Sequence, residues 1–176
     1  MPELPEVQTT VKGLYIILNH QITYIKIHTK KLRFKIPFDI KKKLLNSKIS
    51  NIRRIAKYII IDLNNEYSLI VHLGMSGRLK VVFSKYNIVK HDHFIIHCNN
   101  ERSIVYNDPR KFGFIDIVRT KDLQKRKYIM NLGIDALSLD LKPSLLYKKI
   151  FKSEVPIKQI LLNQKIIAGI GNIYAS

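Results

Sequence analysis

The chain has 176 residues, room for one domain or slightly more, and 46% of them are hydrophobic, which supports a sizeable core. No apolar run reaches the roughly 18–20 residues of a membrane span, the acidic N-terminus does not read as a secretory signal, and Cys98, the lone cysteine, excludes an internal disulfide and a cysteine zinc cluster. The 31 Lys and Arg against 13 Asp and Glu leave a net charge of +18, which favours nucleic acid as partner ahead of an anionic membrane surface, although AT-rich coding also inflates lysine.

Apolar residues at Leu4, Val7, Val11, Leu14 and Leu18 predict a helix from Leu4 to about Leu18, with Glu3 and Glu6 at its dipole-favoured start. Alternation and β-branching predict a strand from Ile22 to His28, and a short basic helix is expected between Phe38 and Asn46. Strands follow at Lys48 to Ile55, Tyr58 to Leu63, Tyr67 to Leu73, Arg78 to Phe83, His93 to His97, Ser103 to Tyr106 and Phe112 to Arg119. Thr120 is placed to cap a helix reaching Met130. From Pro143 the β-pattern stops. Helices are expected at Pro143 to Phe151, at Pro156 to Gln164, and from near Asn172, with Gly169 and Gly171 in the last turn. Helix, then many strands, then helices predict a β-sandwich and a second unit beginning near residue 140.

Pro2 follows the initiator Met1. Removal of Met1 would expose a secondary amine beside the Glu3 carboxylate, and a free amine attacks carbonyl carbon to form a Schiff base. Taken alone, these residues fit an ordinary proline-opened helix better. His72 through Gly77 closes a strand with a glycine-bracketed loop holding Met75, which alone reads as a plain turn or as an exposed apolar probe. Asn107 through Gly113 places Arg110, Lys111 and Phe112 at a loop tip; these suit a base edge, a phosphate and a base-stack wedge, or else a turn whose Phe112 packs inward. Lys57 opens a strand, as surface lysines commonly do. His91-Asp92-His93 resembles a metal pair without a third ligand and reads better as a hydrogen-bonded pair or a phosphate contact.

Pro2-Glu3-Leu4-Pro5-Glu6, Ala56-Lys57-Tyr58, His72 through Gly77, Lys90-His91-Asp92-His93, Asn107 through Gly113, Leu132-Gly133 with Leu137-Ser138, and Gly169 through Ser176 together, in this order, resemble the formamidopyrimidine-DNA glycosylase family. Its members are glycosylases and abasic-site lyases acting on oxidised purines. Leu4 between Glu3 and Pro5 favours this branch over endonuclease VIII, which prefers Gly there and takes oxidised pyrimidines.

The resemblance implies a mixed α/β fold: an N-terminal helix on a two-layer antiparallel β-sandwich over residues 1–135, then the start of a helix–two-turn–helix domain over 136–176. It implies that Pro2 is the nucleophile, Glu3 the general acid and base, and Lys57 the aid to elimination, with Glu6 supporting the N-terminal helix. Met75, Arg110 and Phe112 would fill the space of a flipped nucleotide, Phe112 as the wedge, while His91, Lys111 and Asn172 would contact phosphates. The implied reaction ends in β,δ-elimination and uses no cofactor. The partner is damaged double-stranded DNA, and the protein is a cytoplasmic monomer without membrane contact. The family continues into a four-cysteine zinc finger that lies outside these 176 residues, which leads to the expectation of no metal site here and of greatly reduced turnover on an 8-oxoguanine duplex. Gln8 stands where the family commonly has an acid. The alternatives are a non-catalytic basic DNA binder and an endonuclease VIII-like enzyme. Ile166, Ile167, Ile170 and Ile173 are expected to be exposed.

Overall fold

A computed structural model describes every residue except Met1, Ser84 and Lys152, together with all side chains of those residues but that of Lys149. Helix α1 spans Leu4–Leu14 and buries Leu4, Val7, Val11 and Leu14 along one stripe. It ends earlier than Leu18 because Gly13 and the β-branched Ile16 and Ile17 are poor helix formers, and the chain tightens into a 3-10 turn over Tyr15–Ile17. Strand β1 (Ile22–Ile27) follows, then the single-turn α2 (Ile40–Leu44).

The next strands are β2 (Ile49–Ile55), β3 (Tyr58–Leu63), β4 (Tyr67–His72), β5 (Arg78–Phe83), β6 (Asp92–Cys98), β7 (Arg102–Asn107) and β8 (Phe114–Arg119). They form two four-stranded antiparallel sheets in the orders β1-β6-β7-β5 and β2-β3-β4-β8. One core joins their inner faces: Ile59, Ile61, Val71 and Ile115 from one sheet and Phe94, Ile96, Ile104 and Tyr106 from the other, with Val7, Val11 and Leu14 of α1 at the same core. Each such side chain contributes about 1.5–3 kcal/mol by leaving water. The expected sandwich with an N-terminal helix is therefore the observed architecture.

Strand β3 is buried on both faces, because Ile60 points away from the main core into a second cluster with Ile70, Val118, Leu123 and Ile129. That cluster corrects the helix predicted from Thr120 to Met130. The segment is a 3-10 helix over Thr120–Lys125 and then α3 (Lys127–Met130), broken at Arg126, whose ψ is 124°. A continuous α-helix advances about 100° per residue, so Leu123 and Ile129 would point about 120° apart; the break lets both reach the sheet.

Two short strands were not legible in the pattern. β9 (Ile134–Asp135) and β10 (Ile167–Ala168) pair in parallel and enclose α4 (Pro143–Ile150) and α5 (Ile157–Leu162) between them in the chain. The β-pattern thus resumes after Pro143. The pairing also buries Ile167, and Ile166 and Ile170 are half-buried, so of the four isoleucines expected at the surface only Ile173, 64% exposed, lies there. No helix starts at Asn172: residues 172–175 make one turn, closed by the Ala175 N–H donating to the Gly171 carbonyl at 3.0 Å. Among the described residues no helix is long and apolar enough to cross a membrane.

Candidate active site and nucleic-acid interface

Glu3 caps the start of α1 and is 1% exposed, although it is a carboxylate. A buried carboxylate needs donors, and the loop after β10 supplies them. The Gly171 N–H donates to Oε2 at 2.6 Å, the Ile173 N–H to Oε1 at 2.8 Å, and the Tyr174 N–H to Oε2 at 3.4 Å. A Cβ at Gly171 would stand 2.5 Å from both Cδ and Oε1 of Glu3, so only glycine allows the backbone this close. The Leu4 N–H donates to the Gly169 carbonyl at 3.1 Å, and Gly169 itself has φ +109°. The N-terminus and the 169–174 loop are thus one unit, joined across the length of the chain.

Glu6 reaches back to accept from the Glu3 N–H at 2.9 Å and also accepts from the Tyr174 hydroxyl at 3.1 Å. Partial burial alone would raise its carboxyl pKa, but these hydrogen bonds, the Glu3 N–H first, bring it below the ordinary value.

Lys57 follows the β2–β3 turn, where Ala56 has φ +50°. Its ammonium donates to the Ile170 carbonyl at 2.7 Å, between the two residues whose N–H and carbonyl engage α1. Burial lowers its pKa from the lysine value, and the nearby Glu3 carboxylate opposes that shift. Glu3 and Lys57 therefore hold opposite groups of the same loop.

Three residues unremarked in the sequence build this arrangement. Gln164 accepts the Gly169 N–H at 2.9 Å through Oε1 and donates to the Ile170 carbonyl at 2.7 Å through Nε2, fixing the loop from behind. Asp135, on β9, accepts from the two terminal Arg54 guanidinium nitrogens at 2.5 and 3.1 Å and from the Ala56 N–H at 3.1 Å. Burial would raise its pKa, and the Arg54 guanidinium together with backbone donors lowers it. Arg54 also donates to Gln8 at 2.9 Å, so the amide at that position keeps a hydrogen-bonding role an acid would fill. Arg54 and Asp135 tie the turn bearing Lys57 to the unit that carries the 169–174 loop.

Pro2, Glu6 and Ile173 line one side of an open groove of about 650 Å³, and Met75, Ser76, Gly77, Arg78, Asn107 and Pro109 line the other. The loops around Met75 and Phe112 are bound to each other by Asp108, which is fully buried. Its carboxylate accepts from Ser76 Oγ at 2.6 Å, the Gly113 N–H at 2.9 Å, the Tyr106 hydroxyl at 3.1 Å and the Arg110 N–H at 3.3 Å. Burial first, and then the Asp108 charge, raise the Tyr106 phenol pKa. Tight packing at Gly113, whose Cβ would meet Tyr106 Oη at 2.0 Å, completes the junction.

With the loop base locked, its tip projects. Met75 is 44% and Phe112 45% exposed, so Phe112 does not pack inward, and the Arg110 guanidinium lies 4.6 Å from the Phe112 ring centre. Lys111 is exposed in a left-handed conformation, φ +55°. His91 is half-buried, and His93 hydrogen-bonds the Asp108 carbonyl at 2.9 Å, the structural partnership its position suggested. Asn172 is exposed, two residues from Tyr174. Met1, whose removal the amine chemistry requires, lies outside the described residues.

His72 ends β4 beneath these loops, its ring 5.5 Å from Phe114 and 4.9 Å from Tyr58. Its Nδ1 accepts the Gly74 N–H at 3.1 Å, so the neutral ring carries its proton on Nε2. Burial, with Arg33 and Lys57 adding to it, pushes its pKa down to about 4. The unfolded chain binds a proton here below about pH 6.5 that the folded chain refuses until about pH 4, so this residue makes stability fall as pH drops through that window. Converted directly, the shift amounts to about 3 kcal/mol. His72→Phe, which keeps the ring stack, is expected to flatten the pH dependence of the urea midpoint between about pH 4 and 6.5; an unchanged slope would show that His72 protonates freely in the folded protein.

The structural zinc implied by the resemblance finds no ligand set among the described residues. Cys98 is buried in the sandwich core, where burial pushes its thiol up to about 11, far from a metal-binding thiolate.

The family model for the N-terminal domain of formamidopyrimidine-DNA glycosylase matches residues 1–115, and that for the helix–two-turn–helix domain of the same enzyme matches residues 132–176. The chain belongs to the formamidopyrimidine-DNA glycosylase family. Among curated relatives, the formamidopyrimidine-DNA glycosylase of Zymomonas mobilis is 45% identical over 176 residues, and that of Rickettsia bellii 41% over 177. These alignments cover 99% and 100% of this chain, which spans 64% of the length of each relative. A structure described as a complex between the Lactococcus lactis enzyme and DNA containing an abasic site superposes with a TM-score of 0.90 at 30% identity, covering 99% of this chain and 64% of that one. The formamidopyrimidine-DNA glycosylase N-terminal match takes in the sandwich up to the start of β8, and the second match begins two residues before β9.

Proposed function

We propose that this chain carries the reactive centre of a base-excision DNA glycosylase and abasic-site lyase for oxidised purines. The observation that carries the reading is the buried Glu3 carboxylate, held by three backbone N–H groups and adjacent in the chain to Pro2, which lines an open groove. Once Met1 is removed, the Pro2 nitrogen attacks C1′ of the damaged nucleotide. The C1′–N bond to the base breaks, and Glu3 moves the protons that release the base and open the sugar. The resulting iminium acidifies the C2′ proton; its loss expels the 3′ phosphate, and a second elimination expels the 5′ phosphate. Lys57, a buried cation, neutralises a departing phosphate beside the lesion. Glu6 holds Glu3 in place through its backbone N–H.

The substrate must leave the helix to reach Pro2, at a cost of a few kcal/mol. Met75, which lines the groove, and the exposed Arg110 and Phe112 of the loop joined to it through Asp108 suit the vacated space, with Phe112 as wedge and Arg110 toward the unpaired base. His91, Lys111 and Asn172 supply phosphate contacts. We assign the chemistry to residues 1–135 and the opening part of a helical DNA-binding unit to 136–176, working on DNA in the cytoplasm.

Paired duplexes test the substrate class, one holding 8-oxoguanine and one holding thymine glycol. Single-turnover release is expected to be faster for 8-oxoguanine. Faster release of thymine glycol would assign the chain to oxidised pyrimidines, and release of neither would leave a plain DNA binder.

A further inference from the structure

We propose that the groove between the end of β1 and α2 binds an unpaired stretch of single-stranded DNA, with phosphates on Lys30, Lys31, Lys35 and Lys41 and a base stacked on Phe38. The groove has a volume of about 520 Å³ and an aliphatic floor that includes Ile27 and Ile36. The four lysines stand around it, and Phe38 is 99% exposed at its edge.

The backbone that presents these lysines is fixed. Lys31 and Lys35 pair across an isolated bridge, the Ile36 N–H donates to the Lys30 carbonyl at 3.0 Å, and Leu32, Ile36 and Ile40 are buried beneath. The one acid between His28 and Lys43 is Asp39, and it is paired with Lys43 at 2.7 Å. Among the described residues none of the four groove lysines is in an ion pair. The result is a cationic rim on a fixed backbone, with no counter-charge paired to it among the described residues.

A phosphate chain is the partner that such a rim and a bare aromatic face fit together, since cations track the backbone and every base has a face to stack. A paired duplex offers phosphates but no free base to Phe38. An acidic peptide would place its apolar side chain on the aliphatic floor and leave the protruding ring unused. The segment also touches the wedge loop: the Arg33 N–H donates to the Gly113 carbonyl at 3.0 Å, and Phe34 meets the Phe114 ring edge-on at 5.3 Å. The groove therefore adjoins the proposed DNA site, so that a strand left unpaired near a lesion has a second hold. This inference shares the nucleic-acid partner of the proposed function but none of its chemistry.

Fluorescence anisotropy of a labelled oligo-dT tests it with the 176-residue chain, Phe38→Ala and the triple variant Lys30→Gln, Lys35→Gln, Lys41→Gln. Phe38→Ala is expected to weaken oligo-dT binding about tenfold. The triple variant is expected to reduce the slope of log affinity against log salt by about 2. No binding by the wild-type chain, or binding by both variants with wild-type affinity and slope, overturns the proposal. So does an acidic, phenylalanine-containing peptide whose binding is lost in Phe38→Ala while oligo-dT binding is kept, which would make the groove a protein-docking site. Borohydride capture of an abasic duplex, measured alongside, reads the lyase chemistry separately. Its failure with the oligo-dT effects intact would sink that chemistry and not this site.

Discussion

Glu3→Gln is expected to lower the rate of base excision by about 10²–10⁴, the span of a lost general acid–base. The loss has two origins. An amide moves no proton at this pH, so departure of the base and opening of the sugar both slow. It also cannot replace the carboxylate in the fold. Gly171 and Ile173 donate to different Glu3 oxygens, so one of them would face the amide NH₂, donor against donor. A buried donor left without an acceptor costs about 1–3 kcal/mol, which loosens the 169–174 loop on which Lys57 and Gln164 also converge. Single-turnover excision from an 8-oxoguanine duplex, with thermal melting of the same variant, separates the parts. A variant that melts lower yet excises at the wild-type rate would reduce Glu3 to a structural clamp.

The second large effect is expected at Asp108, which carries no chemistry. Asp108→Ala removes a fully buried acceptor shared by Ser76, Tyr106, Arg110 and Gly113. A buried donor left without an acceptor costs about 1–3 kcal/mol, and with several affected the melting temperature is expected to fall on the order of 10 °C for a domain of this size. The junction between the Met75 and Phe112 loops is lost with it, so affinity for a lesion duplex is expected to drop more than affinity for oligo-dT. Thermal denaturation and anisotropy on the two DNAs measure this. A variant that melts like the wild type, with its duplex affinity intact, would mean the loops hold their places without the carboxylate.

The fold was largely legible because its strands obey local rules. Tyr58–Leu63 and Arg78–Phe83 carry the β-branched and aromatic residues that fit a pleated surface, and both were read at their observed bounds. The elements that escaped depend on distant partners. Ile134–Asp135 and Ile167–Ala168 are two residues each, too short for any periodicity, and exist only because each supplies the other's ladder. Near Asn172 the expected helix is a single turn, closed by the one bond from the Ala175 N–H to the Gly171 carbonyl, while the Ile173 and Tyr174 N–H groups, which a first helical turn leaves free, donate to Glu3.

The candidate site divides along the same line. Glu3, Lys57, Arg110 and Phe112 stand in motifs whose residue types suggest chemistry. Gln164, Asp135 and Asp108 are ordinary polar residues in the linear chain. Their importance lies in bonds to Gly169, Arg54 and Gly113, and only the separations in space disclose it. For Asp108 a signal was available: an acid between Asn107 and Pro109, just before exposed cations, is a residue that organises a turn.

Sodium borohydride trapping on an abasic-site duplex, followed by peptide mapping, reads the nucleophile directly. A covalent protein–DNA adduct is expected, carried by the N-terminal peptide on Pro2 and lost in Pro2→Gly. An adduct mapped to Lys57, one that persists undiminished in Pro2→Gly, or none at any salt concentration would contradict the assignment of Pro2 as the attacking amine.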